Sequence, residues 1–94
     1  MTLYLDSADV DDARAAAELS LVWGITTNPS LMAKTGREPL AVLADLCDTV
    51  DGTVFYQPTA ETLPEREEEA RRAADTVPGR VGLKIPCTLE NLAM

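Results

Sequence analysis

No histidine occurs in the chain, which removes the commonest metal ligand and the commonest general base from consideration. Only two cysteines are present, Cys47 and Cys87. They are too few for a disulfide scaffold or a zinc site, and both read as reduced thiols filling core space. No run of about 18 apolar residues exists, so no membrane span is expected. The opening residues, MTLYLDSADV, carry no basic segment followed by an apolar stretch. The expectation is therefore no secretory signal and a cytosolic location. Bases are scarce: eight Lys and Arg stand against sixteen Asp and Glu, a net charge of −8. Such a surface repels phosphate backbones and anionic headgroups, so neither nucleic acid nor membrane is an expected partner. A glycine-rich phosphate loop is also missing, since GREP at 36–39 is a turn.

What remains is ordinary globular composition, 46% hydrophobic and 26% charged over 94 residues, enough for one small folded unit. Short apolar runs alternate with helical patterns. The run 3–6 is followed by Ser7 as an expected N-cap, with Asp9, Asp11 and Asp12 in the first helical turns. The run 22–27 is closed by Asn28 and Pro29, an N-cap followed by a proline at the first helical position. That helix reaches Lys34, breaks at Gly36 and restarts at Pro39, after which Leu40, Leu43, Cys47 and Val50 form one apolar stripe. Residues 53–57 make a third strand, Pro64 opens the next helix, and Pro78 and Gly79 stop it. Residues 80–85 give a fourth strand, with Thr88 as the cap of a fourth helix that is barely begun.

This regular alternation predicts a parallel sheet with right-handed crossovers. The strand-end residues Asp6, Asn28, Gln57 and Lys84 recur about every 26 positions, near the roughly 31 per unit of a (β/α)8 barrel of about 250 residues. The fold class read from this is α/β, with residues 1–94 as a single partial domain. It comprises the first four βα units of a TIM barrel: four parallel strands, three helices and the start of a fourth. Period-two alternation puts Tyr4 and Asp6 on one face of the first strand, and Gly24, Thr26 and Asn28 on one face of the second. Phe55 and Gln57 share a face on the third strand, as do Gly82 and Lys84 on the fourth. The opposite faces carry Leu3, Leu5, Ile25, Val54, Tyr56, Val81, Leu83 and Ile85, which suit helix packing. Every strand thus places a polar residue near its carboxyl end, where active sites of parallel α/β folds lie.

Each of these residues has a plain role beside a chemical one. A strand-end lysine ordinarily reaches solvent. Lys84, between two helix-facing residues, points inward instead, and a lysine among apolar walls is a nucleophile towards carbonyls. Asp6 either accepts hydrogen bonds at a helix start or shuttles protons. Asn28 needs no role beyond its cap, and Thr26 and Gln57 are ordinary strand polars on their own.

The segments LYLDSADV, GITTNPSLMAK, VFYQ and GLKIPCTLENL, and above all TTNPS and the lysine of KIP-x-T, resemble the small transaldolases, including the fructose-6-phosphate aldolase branch. The resemblance runs through the whole chain. It implies a (β/α)8 barrel and class I aldol chemistry without metal or organic cofactor, on a ketose or sugar phosphate. It also implies a homo-oligomer at full length. By this match Lys84 corresponds to the Schiff-base lysine and Asp6 to the strand-one acid/base, while Thr26 and Asn28 bind the dihydroxyacetone part. Gln57 falls where transaldolases carry a glutamate that positions water and the aldolase branch carries glutamine. Pro58, Gly82 and Cys87 are departures that remove none of these residues.

Two other readings stand beside the enzyme. One is an inactive truncated remnant or assembly piece of such a barrel. The other is a small flavodoxin-like module, which accounts for the βα alternation but not for the aligned inward polar residues. Alone, residues 1–94 are expected to be inactive and to need association, because half a barrel leaves two strand edges open.

Overall fold

In the computed structural model, residues 3–20, 22–86, 88 and 91 are described. The elements run β1 (Tyr4–Asp6), α1 (Val10–Glu18), β2 (Gly24–Thr26), α2 (Pro29–Lys34), α3 (Pro39–Thr49), β3 (Val54–Tyr56), α4 (Leu63–Thr76) and β4 (Val81–Leu83). The strands form one sheet in the order β1-β2-β3-β4, each pair parallel. This is the architecture of the first half of a (β/α)8 barrel. Among the described residues, β1 and β4 each have one edge without a strand partner.

Each strand spans three residues, shorter than the hydrophobic runs predict. At the carboxyl ends of β2, β3 and β4 proline supplies the reason. Asn28, Gln57 and Ile85 each precede a proline, which has no N–H to donate and restricts the residue before it. The ladder persists one residue further through Ser7 N–H to Thr26 O (3.1 Å), Thr27 N–H to Phe55 O (3.2 Å) and Lys84 N–H to Tyr56 O (2.9 Å). Lys84 therefore lies just past β4 rather than within it.

Helix starts follow the sequence with two corrections. The cap of α1 is Asp9, not Ser7: its carboxylate accepts from the amides of Asp11 (2.8 Å) and Asp12 (3.2 Å). Ser7 sits too early for that geometry. Its hydroxyl instead accepts from Asp9 N–H at 3.0 Å, turning the chain into the helix. For α4 the cap is Thr62 and the helix opens at Leu63, one residue before Pro64. Asn28 caps α2 through its side-chain oxygen, as the sequence predicts. The Thr88 hydroxyl accepts from Asn91 N–H at 3.1 Å, the spacing of a cap. The helix expected after β4, and Cys87, otherwise lie outside the described residues.

The core lies between the helix-facing side of the sheet and α3. Ile25 and Val54 pack with Val42, Leu43 and Leu46, all fully buried. Burying such a side chain stabilises by roughly 1.5–3 kcal/mol. The helix-facing residues of β4 and the segment after it, Leu83 and Ile85, keep 37% and 40% of their surface exposed. Arg80, just before β4, reaches back across the sheet. Its guanidinium donates to Cys47 O (3.1 Å), Gly52 O (2.8 Å) and Val50 O, the carbonyls at and beyond the end of α3. These carbonyls have no intrahelical partner, and arginine's fork suits several acceptors at once.

Cys47 is a free, buried thiol. Burial raises its pKa, with Arg80 pulling partly the other way. Folded protein should therefore react with Ellman's reagent at Cys47 only on the timescale of opening, and promptly in denaturant. Prompt labelling of Cys47 without denaturant, read in a Cys87→Ser background, would contradict this packing.

Candidate functional site

The register fixes which inward residues stand side by side. Asp6 is opposite Thr26, Thr26 opposite Phe55, and Phe55 opposite Gly82. Continuing the pairing of Tyr56 with Leu83 by one residue brings Gln57 level with Lys84. The five candidates thus occupy two layers: Asp6 and Thr26 below, Asn28, Gln57 and Lys84 above. This stagger is the shear of a barrel wall. It is invisible to strand alternation, which treats all four strand ends as level.

Within the lower layer, the Thr26 hydroxyl donates to Asp6 Oδ1 at 2.9 Å. The bond orients a carboxylate that is otherwise exposed. In the upper layer, Asn28 Oδ1 accepts from Leu31 N–H at 2.9 Å, so its cap role and its place in the row coexist. The Lys84 amino group donates to Thr27 O at 2.9 Å, between Thr26 and Asn28 in the chain. Thr27 itself is fully buried, and its hydroxyl donates to Phe55 O at 2.7 Å. Lys84 is thereby tethered across the sheet to β2. Gln57 is not hydrogen-bonded to the other four. It lines a small cleft of about 170 Å³ with Pro29, Met32, Arg37 and Thr59.

Level with the lower polar layer and beneath it lie aromatic rings. Tyr4 and Phe55 have ring centroids 5.8 Å apart, and Tyr4 meets Trp23 edge-on at 5.6 Å. Two glycines make room for them. A Cβ on Gly82 would come within 2.5 Å of the Phe55 ring, and one on Gly24 within 2.9 Å of the Tyr4 ring. The glycine at 82, unexpected from the sequence, is thus matched to the phenylalanine of the neighbouring strand.

On the outer side, Tyr56 is buried and its hydroxyl donates to Glu69 Oε2 at 2.6 Å. Burial first, then this bond and the carboxylate's charge, push the phenol well above the usual tyrosine value. The folded state therefore holds its proton more tightly than the unfolded state. The stabilisation is complete below the unfolded value of about 10 and is lost as pH rises beyond it. A titration at 295 nm should show one phenol resisting ionisation until the protein unfolds, and Tyr56→Phe should abolish that late step. A late step surviving in Tyr56→Phe would refute the assignment.

Sequence reasoning missed Thr27, Glu69 and Arg80. Thr27 had a signal, a polar residue at a position of helix-facing parity. Glu69 had one as well, a charge on the stripe of Ala70 and Ala73. Arg80 had none, since its partners lie about 30 residues away.

A parallel βα sheet of four units with this inward row at its carboxyl ends is half of a (β/α)8 barrel. The chain matches the Transaldolase/Fructose-6-phosphate aldolase family over residues 3–94, and it belongs to that family. It is 38% identical over 92 residues to a probable transaldolase of Parvibaculum lavamentivorans, covering 98% of this chain and 42% of that protein. A probable transaldolase of Streptococcus agalactiae is 41% identical over 93 residues, 99% of this chain and 43% of the relative. One from Thermodesulfovibrio yellowstonii is 35% identical over 95 residues, again 98% and 42%. The chain therefore spans less than half the length of the curated relatives it matches.

Proposed function

We propose that the chain supplies the first four βα units of a barrel that cleaves or transfers a dihydroxyacetone unit of a ketose phosphate through an imine on Lys84. Further units, of the kind its longer relatives have room for, close the sheet and bring the phosphate grip. The observation that carries the reading is the tether from Lys84 to Thr27 O. It holds the amine beside Thr26 and Asn28, the residues that would bind the dihydroxyacetone hydroxyls.

In this reading the Lys84 nitrogen adds to the ketose carbonyl and water leaves, forming the iminium. That cation accepts the electron pair of the bond between the carbon next to it and the hydroxyl-bearing carbon beyond. The bond breaks as the hydroxyl of the departing fragment gives up its proton, and an aldehyde leaves. Asp6, oriented by Thr26, carries the protons of carbinolamine formation and cleavage. The remaining enamine adds to a second aldehyde, or is protonated and hydrolysed. Gln57 holds the water of that second fate. The protein works in the cytosol as a homo-oligomer, without a metal or organic cofactor.

The test is borohydride reduction of the full-length protein with dihydroxyacetone or fructose 6-phosphate, followed by peptide mapping. A mass adduct on the peptide containing Lys84 is expected. No adduct on any peptide would remove the imine mechanism and favour a catalytically inactive barrel piece. Gln57→Glu should move the ratio of transfer to cleavage towards transfer, by tenfold or more if the carboxylate alters partitioning by about 1.4 kcal/mol. Equal ratios in variant and parent would detach Gln57 from that choice.

A further inference from the structure

Helix α4 presents two charged side chains on its inner stripe, and together they hold two loops. Glu69 takes the first: its Oε1 accepts from the amides of Thr59 (2.8 Å) and Ala60 (2.9 Å) while Oε2 holds Tyr56. Arg66 closes on the same loop from the other side, Nη1 donating to Ala60 O (3.1 Å) and Glu61 O (2.8 Å). The arginine then spans to the second loop. Its Nε donates to Asn91 Oδ1 at 3.0 Å, and Asn91 Nδ2 donates to Pro86 O at 3.0 Å. Asn91 is buried. The first loop begins two residues after Gln57, and Pro86 lies two residues after Lys84.

We propose that Arg66 and Asn91 are positioning residues that lock the loop after β3 to the loop after β4, giving Gln57 and Lys84 one common frame. Two features favour this over plain loop packing. Pro58 and Pro86 have no N–H, so the usual backbone donors that would pin these loops to the sheet are missing. A guanidinium is a planar fork able to hold both sets of acceptors in fixed relation, which a lysine ammonium does not reproduce. The catalytic consequence rests on the imine reading above; the mechanical coupling does not.

The experiment uses the full-length protein and the variants Arg66→Ala, Arg66→Lys, Asn91→Ala and Arg66→Ala/Asn91→Ala. The first measurement is the backbone amide shifts. Arg66→Ala should move the amides of Lys84 and Ile85, and Asn91→Ala those of Thr59 to Glu61. The second is the rate of borohydride-trapped adduct on Lys84 against dihydroxyacetone concentration, below the melting point of every variant. Each single variant should lower the saturating rate by about tenfold or more, since small misplacements of reacting groups are costly. The half-saturating concentration should stay within about threefold. The double variant should be no slower than the worse single one, as expected for two members of one strap. Arg66→Lys, the gentlest change, should fail to restore the rate. Losses that multiply in the double variant, or cross-loop amides that do not move, would overturn the proposal. A parent that forms no imine would sink the aldol reading but not the strap. The amide shifts alone then decide: movement across the loops supports the coupling, and its absence overturns it.

Discussion

Lys84→Ala should leave the full-length protein with no reducible imine and no measurable cleavage or transfer. Nothing else on the inward row is a nitrogen nucleophile: its neighbours are a carboxylate, a hydroxyl and two amides. Lys84→Arg should be as inactive, since a guanidinium stays protonated and does not add to carbonyls. The other lysine is Lys34. It is exposed at the end of α2 and lines a wide cleft of about 710 Å³ that also reaches Asp6 and Asp12. That makes it a fair competitor for the adduct. Peptide mapping separates the two, because Lys34→Ala should trap adduct at the parent rate. Adduct on Lys34 together with an active Lys84→Ala would place the chemistry on α2 and end the present assignment.

The second large effect is expected at Gly24. A Cβ there would lie 2.3 Å from Thr53 O, a backbone atom of the neighbouring chain segment, and 2.9 Å from the Tyr4 ring. The ring can swing aside but the carbonyl cannot, because Ile25 N–H is bonded to it at 3.0 Å. Gly24→Ala must therefore spread β2 from the β3 side of the sheet, where the core residues Ile25 and Val54 meet. A loss above about 4 kcal/mol is expected, within reach of the whole stability of a typical domain. Gly36 is the contrast. Its φ of +66° disfavours a side chain, yet a Cβ there meets nothing within 4 Å. Gly36→Ala should cost only about 1–2 kcal/mol, the strain of the left-handed backbone. Urea unfolding of both variants measures the difference. Comparable midpoints would mean that close approach at Gly24 is not the constraint.

Much of this was legible from residue order. Period-two alternation and the punctuation at Asn28-Pro29 and Pro78-Gly79 are local signals, and they yielded four parallel strands and an inward polar row. The carboxyl ends of β2, β3 and β4 were overread because hydrophobicity continues past the point where a following proline ends the ladder. Ser7 was taken as the α1 cap because it is the first small hydroxyl after the strand, whereas the helix begins where Asp9 can reach two amides. The two-layer arrangement of the site needed the register, which depends on how strands slide against each other. Thr27, Glu69 and Arg66 act through partners set by tertiary packing, so a polar residue at an odd position was the most the sequence displayed, and their partners were not legible.

Arg80 also bears on how the chain matures during synthesis. The carbonyls it caps, from Cys47 to Gly52, leave the ribosome about 30 residues before the guanidinium that satisfies them. Until then those carbonyls lack the guanidinium, and the exit from α3 is held by its last turn and by the packing of Val50 in the core. The third unit can collapse early, but its junction with β3 reaches its final form only when the first residue leading into β4 has emerged. A nascent chain stalled before Arg80 should therefore be cut by protease at 47–52, and one stalled well beyond it should be protected there.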